Sequence, residues 1–565
     1  MKRLLFALGI VTLATAVPFL GIAAGRFDQK LSKDQQFAHA LNRLTFGPRP
    51  GDIEKVRKMG VEKWIDLQLH PERLSENSIL AAKLEPLETM QLAMWQILET
   101  YQRRPGPADF LKRVPAMALN TELTRLERQT ILRGSPEEKM ALLNSFDADR
   151  RRQIAASLPP DALAELPELR RESMALRQPP QFVNSELMEH KLYRAIYSNR
   201  QLEEVLVDFW LNHFNVFNGK GQGRFLLTSY ERDAIRPLVL GRFKDMLLAT
   251  ARHPAMLYYL DNWQSQVPAE ELPVQRPGPR RRPGLNENYG RELLELHTLG
   301  VDGGYTQQDV IAVARAFTGW TIRDPNRVAE YQFNPMMHDP KEKVVLGHTI
   351  PAGGDESDGL QVLDILARHP STARFISKKL AQRFVADDPP QALVDRMAAT
   401  FTKTDGDLRE VLRTMFKSRE FFSVGSWQAK LKSPLEMVVS AVRALDADAA
   451  DVFALTQRIG ELGQPLYGKA EPTGYPNTGE GWANTAGLLA RINFASALVE
   501  GRVPGIRVAA IRFERKTPAA IAFELLSTPP SKQMEAALQA GLQNNQLTPA
   551  TIASLVLASP DFQRR

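Results

Sequence analysis

The stretch NENYGRELLELHTLGVDGGYTQQDVIAVARAFTGW, residues 286–320, brings together amide and ionisable side chains that could do chemistry. On an α-helix of about 3.6 residues per turn, Asn288, Arg291, Glu292 and Glu295 share one polar face. Because such an ionic group is costly to bury unless it is fully paired, the face is a candidate for ligand binding or catalysis. The alternative is an arginine–glutamate network that only locks two helices together.

Two short helices are expected to position this face. Gly300 is placed to end the first helix in a left-handed conformation, and Thr306 with Asp309 resembles a capping box that starts the second. The second helix has an apolar stripe formed by Val310, Val313, Ala314 and Phe317. His297 lies at the edge of the apolar side of the first helix, away from the carboxylates, so a metal site using it needs partners from elsewhere.

Other polar residues lie outside this face. Asn286 is a candidate ligand-binding amide beside Asn288, and His213 with Asn215 ends the apolar stripe of DFWLNHFNVF. A hydrogen-bonded core histidine is the alternative reading of His213.

The turn MMHDPKE contains His338 and Asp339. An exposed His–Asp pair beside a cleft can bind a metal ion or act as a base, so both residues are metal and catalytic candidates. The alternative is a structural turn, since Asp-Pro is common turn chemistry.

The loop GYPNTGEGWAN places Tyr475 and Trp482 among amide and hydroxyl side chains. Exposed rings stack on sugar faces while amides bind hydroxyl groups, which would suit a neutral or anionic glycan. The alternative is a rigid loop pinned by Trp482 before a helix.

The composition excludes several cofactors. There is no cysteine, which rules out disulfides, cysteine-ligated iron–sulfur clusters, thiolate zinc sites and c-type haem. GQPLYGKA has most of a P-loop, but Ala470 replaces the hydroxyl residue and Pro465 removes a backbone donor, so no nucleotide cofactor is expected. A divalent metal held by histidine, carboxylate or amide ligands remains open.

The first residues, MKRLLFALGIVTLATAVPFLGIAAGR, resemble an export signal, and residues 1–24 are expected to be removed. The mature chain is then periplasmic or extracellular, and membrane-attached only if the signal is uncleaved. The formal net charge of +7 is a mild bias that could favour anionic glycans or membrane surfaces. No nucleic-acid motif is present, and no nucleic-acid partner is expected.

Helical periodicity dominates the chain, which predicts an all-α fold with a minor β-hairpin around 329–349. We expect an N-terminal helical region over 35–133 and a charged, proline-containing insertion over 134–181. The main helical region, 182–565, contains a proline- and arginine-rich loop at 264–284 and a small β element at 320–349.

Several motifs together resemble a known bacterial family. They are LNRLTFGPRPGDIEKVRKMGVEKWIDLQL, DFWLNHFNVF, NYGRELLELHTLGVDGGYTQQDV, ARAFTGW, HDPKEKVVLG and GEGWANTAGLLARINFA. The chain is similar to domain-of-unknown-function family 1800 from about residue 39 to 563. This resemblance implies a large, exported, mostly helical protein without an established reaction. It also implies a possible partner, because members are often encoded beside an exported family, number 1501, that resembles sulfatases and alkaline phosphatases.

Three functional hypotheses follow. The first is a ligand- or metal-handling protein, including a hydrolase-like enzyme on envelope or extracellular polymers. The second is a non-catalytic scaffold or accessory subunit that docks the exported family-1501 protein. The third is a glycan-binding protein.

Overall fold

The computed structural model describes residues 23–102, 124–157, 163, 166–267, 284–509, 513–543 and 548–565. The predicted export signal, 1–24, lies almost wholly outside these residues, as does most of the 264–284 loop. Among the described helices, none has both the length and the apolar character needed to cross a bilayer.

Helices form most of the described chain, which confirms the all-α prediction. The N-terminal helices are Ala23–Arg26, Lys33–Leu44, Asp52–Met59, Val61–Leu69, Ser78–Leu84 and Met94–Tyr101. The next helices are Arg125–Arg133, Pro136–Asn144, Ala148–Ser157 and Pro167–Arg177. The helices up to residue 316 are Pro179–Tyr197, Gln201–His213, Gly223–Ser229, Phe243–Arg252, Pro254–Tyr259, Glu287–Glu292 and Gln307–Ala316. The helices after residue 350 are Glu356–Arg368, Pro370–Phe384, Gln391–Lys403, Leu408–Phe416, Pro434–Ala444, Phe453–Glu461, Thr485–Val499, Pro518–Leu526, Lys532–Gln543, Pro549–Ala558 and Pro560–Gln563.

Two wider π turns, Tyr230–Ile235 and Leu293–Thr298, continue directly from α-helices. Short 3₁₀ turns are Pro71–Arg73, Glu88–Met90, Arg236–Leu238, Asn262–Gln264 and Gly479–Gly481.

The β element contains two hairpins rather than the one predicted. Trp320–Arg323 pairs with Glu330–Phe333, and Lys343–Val345 pairs with His348–Ile350. The second hairpin closes on itself because Leu346 and Gly347 both have positive φ, the geometry of a tight two-residue turn. Residues 334–342 therefore link two hairpins instead of joining the strands of one. A third short pair joins Asp448–Ala449 to Ile506–Arg507.

Local signals explain several helix ends. Gly60 has φ of 89° and separates two helices, as the sequence predicts. Gly300 adopts a φ of 83°, and Thr306 with Asp309 forms the predicted capping box. The predicted apolar stripe that follows this box is buried.

One large hydrophobic core contains most of the buried apolar residues, and a smaller core lies within residues 131–169. Arg170 connects this smaller unit to the main body, because its guanidinium lies 3.1 Å from both Glu189 and Asp451. The described helices of the predicted insertion therefore have a core of their own, and a buried ion-pair network joins them to the main body.

Candidate functional site

The first helix of the predicted pair ends in a π turn. Glu287–Glu292 runs into Leu293–Thr298, and the Thr298 hydroxyl donates to the Leu293 carbonyl at 2.6 Å. The sequence predicted a regular α-helix, and the wider turn rotates Glu295 and His297 away from the positions that about 3.6 residues per turn would give them. π turns inside helices occur frequently at functional sites.

Arg291 belongs to a surface network between the two helices. Its guanidinium donates to Gln307 at 2.9 Å and lies 3.7 Å from Glu287, and Gln307 also donates to Glu287. Among the described residues, neither Glu292 nor Glu295 pairs with Arg291 within 4 Å. An arginine network does join the helices, but it is half exposed, and its glutamate is Glu287 rather than Glu292 or Glu295.

Glu292 and Glu295 lie half-buried on the same helix. Burial raises the pKa of Glu292, and the charge of Glu295 adds to this effect. Glu295 accepts a hydrogen bond from the Tyr305 hydroxyl at 3.1 Å. A half-buried carboxyl with a raised pKa can donate a proton, so Glu292 keeps the chemical character that made it a candidate.

The amides Asn286 and Asn288 have different surroundings. Asn286 caps the helix by accepting from the Asn288 backbone N–H at 2.9 Å, and its own amide donates to the Leu260 carbonyl at 2.7 Å. The Asn288 side chain is exposed. Asn286 therefore holds the helix start.

His213 contacts the π turn and a lysine. Its Nε2 lies 3.1 Å from the His297 carbonyl oxygen, and its Nδ1 lies 2.9 Å from the Lys379 Nζ. Burial holds the pKa of His213 well below its usual value, and the Lys379 charge lowers it further. The ring is thus a neutral core histidine that is hydrogen-bonded on both nitrogens.

His338 and Asp339 are buried, with 6% and 1% of their surfaces exposed, so the exposed pair considered for a metal or a base is not present. The His338 ring bonds the Thr318 carbonyl at 2.8 Å and Asp358 at 3.2 Å. Both Asp339 carboxylate oxygens accept from Arg315, at 2.6 and 3.2 Å. Protein partners thus occupy the groups that a metal would use. In the part of the chain that the structure describes, no hydrogen bond or ion pair joins His338 or Asp339 to Glu292 or Glu295.

The loop containing Tyr475 and Trp482 covers a cavity of about 80 Å³. Asn215, Tyr475 and Trp482 all line it, so the structure brings three of the sequence candidates together. Trp482 is only 9% exposed and its Nε1 donates to the Pro476 carbonyl at 3.1 Å. The two exposed rings needed for sugar stacking are therefore absent, and the indole pins the loop instead.

Two asparagines hold this loop in place. Asn212 exchanges two hydrogen bonds with the Tyr475 backbone, at 2.6 and 2.9 Å. The Asn215 amide donates to the carbonyls of Lys469 and Glu471, at 3.0 and 2.9 Å. The cavity therefore has one wall built on a helix and another built on a fixed loop.

Basic side chains dominate the charged wall of the cavity. Lys191, Arg383, Lys430 and Arg565 line it, against the carboxylates of Asp208 and Glu436. The sequence gives no sign of this group, because its members lie far apart along the chain and only folding brings them together.

Arg43 extends the basic group into the core. The basic cluster is defined as Arg43, Arg383, Lys430 and Arg565, and its carboxylates are Glu436 and Asp387. Glu436 pairs with both Arg383 and Arg565, and Asp387 pairs with Lys430. Arg43 is fully buried and has no carboxylate within 4 Å among the described residues; burial lowers its pKa to about 9.

Unpartnered nitrogen atoms mark the same cluster. Within the described part of the chain, Nε and Nη1 of Arg43 and of Arg565 are buried without a hydrogen-bond partner. Arg43 uses only its Nη2, which donates to the carbonyls of Val385 and Ser426. Buried polar groups are normally satisfied, so these four atoms are exceptions that require an explanation.

A buried network adjoins the cavity through Tyr467. The Tyr467 hydroxyl donates to Glu231, a fully buried carboxylate in the Tyr230–Ile235 turn, which also pairs with Arg236 at 2.9 Å. Burial alone would raise the pKa of Glu231, but His190, whose Nδ1 lies 3.7 Å from the carboxylate, and the Arg236 charge bring it well below its usual value. Glu231 thus has both a hydroxyl and a guanidinium partner, whereas Arg43 has no carboxylate partner among the described residues.

No trio of histidine, aspartate and glutamate side chains in the described ranges is arranged to hold a metal ion. The fold and site define a mostly helical protein with a cavity lined mainly by basic charged side chains. The family model described as "Protein of unknown function (DUF1800)" matches residues 39–564, and the chain belongs to this family. No curated protein and no solved structure matches the chain.

Proposed function

We propose that the protein binds an anionic ligand in the cavity beside the basic cluster. The observation that carries the proposal is the imbalance of buried charge. Four cationic side chains, Arg43, Arg383, Lys430 and Arg565, are accompanied by two carboxylates. A ligand carrying negative charge would offset this excess of positive side-chain charge.

A cation removed from water costs several kcal/mol even after the protein relaxes, unless a partner and hydrogen bonds compensate. Arg565 lines the cavity and keeps two nitrogens without a partner among the described residues. An anion with several oxygen atoms would supply acceptors, and arginine is well suited to bind such groups.

The size of the cavity limits the ligand. About 10–15 Å³ of this kind of volume holds one water molecule, so about 80 Å³ suits a group such as phosphate, sulfate or a carboxylate. The half-buried Tyr475 ring and the Asn215 side chain also line the cavity and can contact what is attached to that group. With the predicted export signal, this favours an anionic group of an envelope or extracellular polymer.

Isothermal titration calorimetry tests the proposal, using inorganic phosphate and sulfate with the full chain in low-salt buffer. We expect saturable binding of at least one anion and weaker binding at high salt, because these charges are screened. Absence of binding at millimolar concentrations of both anions would overturn the proposal.

A matched pair of lysine variants locates the site. Lys191 lines the cavity and pairs with Asp208 at 2.9 Å, whereas Lys244 pairs with Asp364 away from it. We expect Lys191→Met to weaken anion binding roughly tenfold, about 1.4 kcal/mol, and Lys244→Met to leave it unchanged. Equal effects of the two substitutions would place the anion elsewhere.

A further inference from the structure

A second, separate group of residues surrounds Lys379. This lysine belongs to the helix Pro370–Phe384, which packs against the Leu293–Thr298 π turn. Its Nζ lies 2.9 Å from His213 Nδ1 and 5.3 Å from the centre of the Phe375 ring. The side chain is half-buried, so it is shielded from water without being sealed from the surface.

No carboxylate in the described ranges lies within 4 Å of the Lys379 Nζ, whereas several other shielded lysines in these ranges have one. Lys191 and Lys343, for example, pair with Asp208 at 2.9 Å and Asp358 at 2.7 Å. Lys379 instead contacts a neutral imidazole and an aromatic ring. Nothing in this environment stabilises an ammonium ion as strongly as a carboxylate would, and burial lowers the pKa of Lys379 to about 8.

The hydrogen bonds of His213 fix the orientation of the amine. Its Nε2 donates to the His297 carbonyl, which leaves Nδ1 as an acceptor for one N–H of Lys379. When Lys379 is neutral, that bond occupies one hydrogen, and the nitrogen lone pair is directed away from the imidazole. His213 is thus a positioning residue for a nucleophilic amine.

We propose that Lys379 is a covalent binding site for a small aldehyde or ketone, which it holds as a Schiff base. The Nζ lone pair forms a bond to the carbonyl carbon, and the C=O π electrons move to oxygen, which takes up a proton as nitrogen loses one. The carbinolamine then loses water to give the imine. The balance is amine plus carbonyl compound to imine plus water, with no oxidant or reductant.

The neutral product suits this environment. An imine carries no charge when unprotonated, so it avoids the desolvation penalty that the ammonium ion suffers there. This site is independent of the basic cavity, since Lys379 does not line it and contributes none of its ion pairs.

The adjacent Lys378 is exposed and provides an internal control on the same helix. With a pKa near 8, the neutral fraction of Lys379 at pH 7 is roughly 200-fold that of an ordinary lysine of pKa about 10.4. A less basic amine is also a weaker nucleophile, so we expect at least a tenfold excess of labelling.

Reductive trapping tests the site on the full chain. The protein is treated with glycolaldehyde and sodium cyanoborohydride near pH 7, and alkylated lysines are quantified by peptide mass spectrometry. We expect Lys379 to be alkylated at least tenfold faster than Lys378, with a rate that rises with pH and levels off above about 8. Lys378→Arg should leave labelling of Lys379 unchanged, and Lys379→Arg should remove the fast phase.

A purely structural lysine that only orients His213 would behave differently. Lys379 would then be labelled no faster than Lys378 in the wild-type protein, and this result would overturn the proposal even if Lys379→Arg failed to fold. Because the readout is labelling at one residue, it is also separate from the anion titration.

Discussion

Replacing Glu436 with glutamine should change stability and anion affinity in opposite directions. Glu436 pairs with Arg383 and with Arg565, the latter at 2.9 Å. Without an added anion, loss of its charge leaves two buried guanidinium groups unpaired, which should reduce the free energy of unfolding by about 3–5 kcal/mol. Glutamine keeps a carbonyl acceptor, so the Ser433 capping bond at 2.9 Å can persist.

The same substitution should strengthen anion binding. Glu436 lines the cavity, so its carboxylate repels a bound anion. At about 7 Å and an effective dielectric constant of about 20, that repulsion is roughly 2 kcal/mol, which corresponds to about 30-fold in the dissociation constant. Saturating anion should therefore recover part of the lost stability.

Urea denaturation with and without phosphate, combined with calorimetric titration, measures both effects. Glu420→Gln is the matched control, because Glu420 is a buried carboxylate that pairs with Arg396 and Arg419 and does not line the cavity. The control should lose stability without any gain in affinity. If Glu436→Gln binds anions no more tightly than the wild type, the electrostatic account of the cavity is wrong.

Three further predictions concern other parts of the molecule. Asp339→Asn should lower the free energy of unfolding, measured by urea denaturation, by about 3 kcal/mol, because it weakens the pairing with Arg315. The affinity for phosphate should not change. Normal stability with lost phosphate affinity would instead indicate that Asp339 binds the ligand. Gly290→Ala should lower the free energy of unfolding by about 1–3 kcal/mol, because the added carbon would lie 3.0 Å from the Val310 carbonyl oxygen in the helix Gln307–Ala316. Gly284→Ala is the control and should be neutral, because its added carbon would have no atom within 4 Å. Equal effects of the two substitutions would contradict the close packing at Gly290. Burial lowers the pKa of Lys432 from 10.5 to about 7, so the unfolded chain binds this proton more tightly than the folded chain does. The free energy of unfolding should therefore rise with pH between these two pKa values. Lys432→Met should remove this part of the pH dependence, and an unchanged pH dependence would contradict the prediction.

Much of the fold could be predicted because its signals are local. The break at Gly60, the left-handed Gly300 and the Thr306 capping box each depend on a few neighbouring residues. The pairing of the strands was harder to predict from the sequence. Glu330–Phe333 has strand-like residues, but no local feature selects Trp320–Arg323 as its partner. The π turn at Leu293–Thr298 also escaped, because its sequence fits an ordinary helix.

The candidate site could be predicted only in part. Asn215, Tyr475 and Trp482 were singled out for their side-chain chemistry, and the fold places all three on one cavity. Arg43 and Arg383 gave no such signal, because in the sequence each reads as an ordinary polar position of a helix. Their burial, at 0% and 8% exposed, becomes evident only when distant helices pack together.

The most direct test of the central claim is to locate the anion by crystallography. Crystals grown with selenate, a sulfate analogue, would give an anomalous difference map that marks the selenium position. The account predicts a peak in the cavity within hydrogen-bonding distance of Arg383 or Arg565, which Glu436→Gln retains and Lys191→Met weakens. A selenate bound only at surface lysines, with the cavity free of anomalous signal, would contradict it.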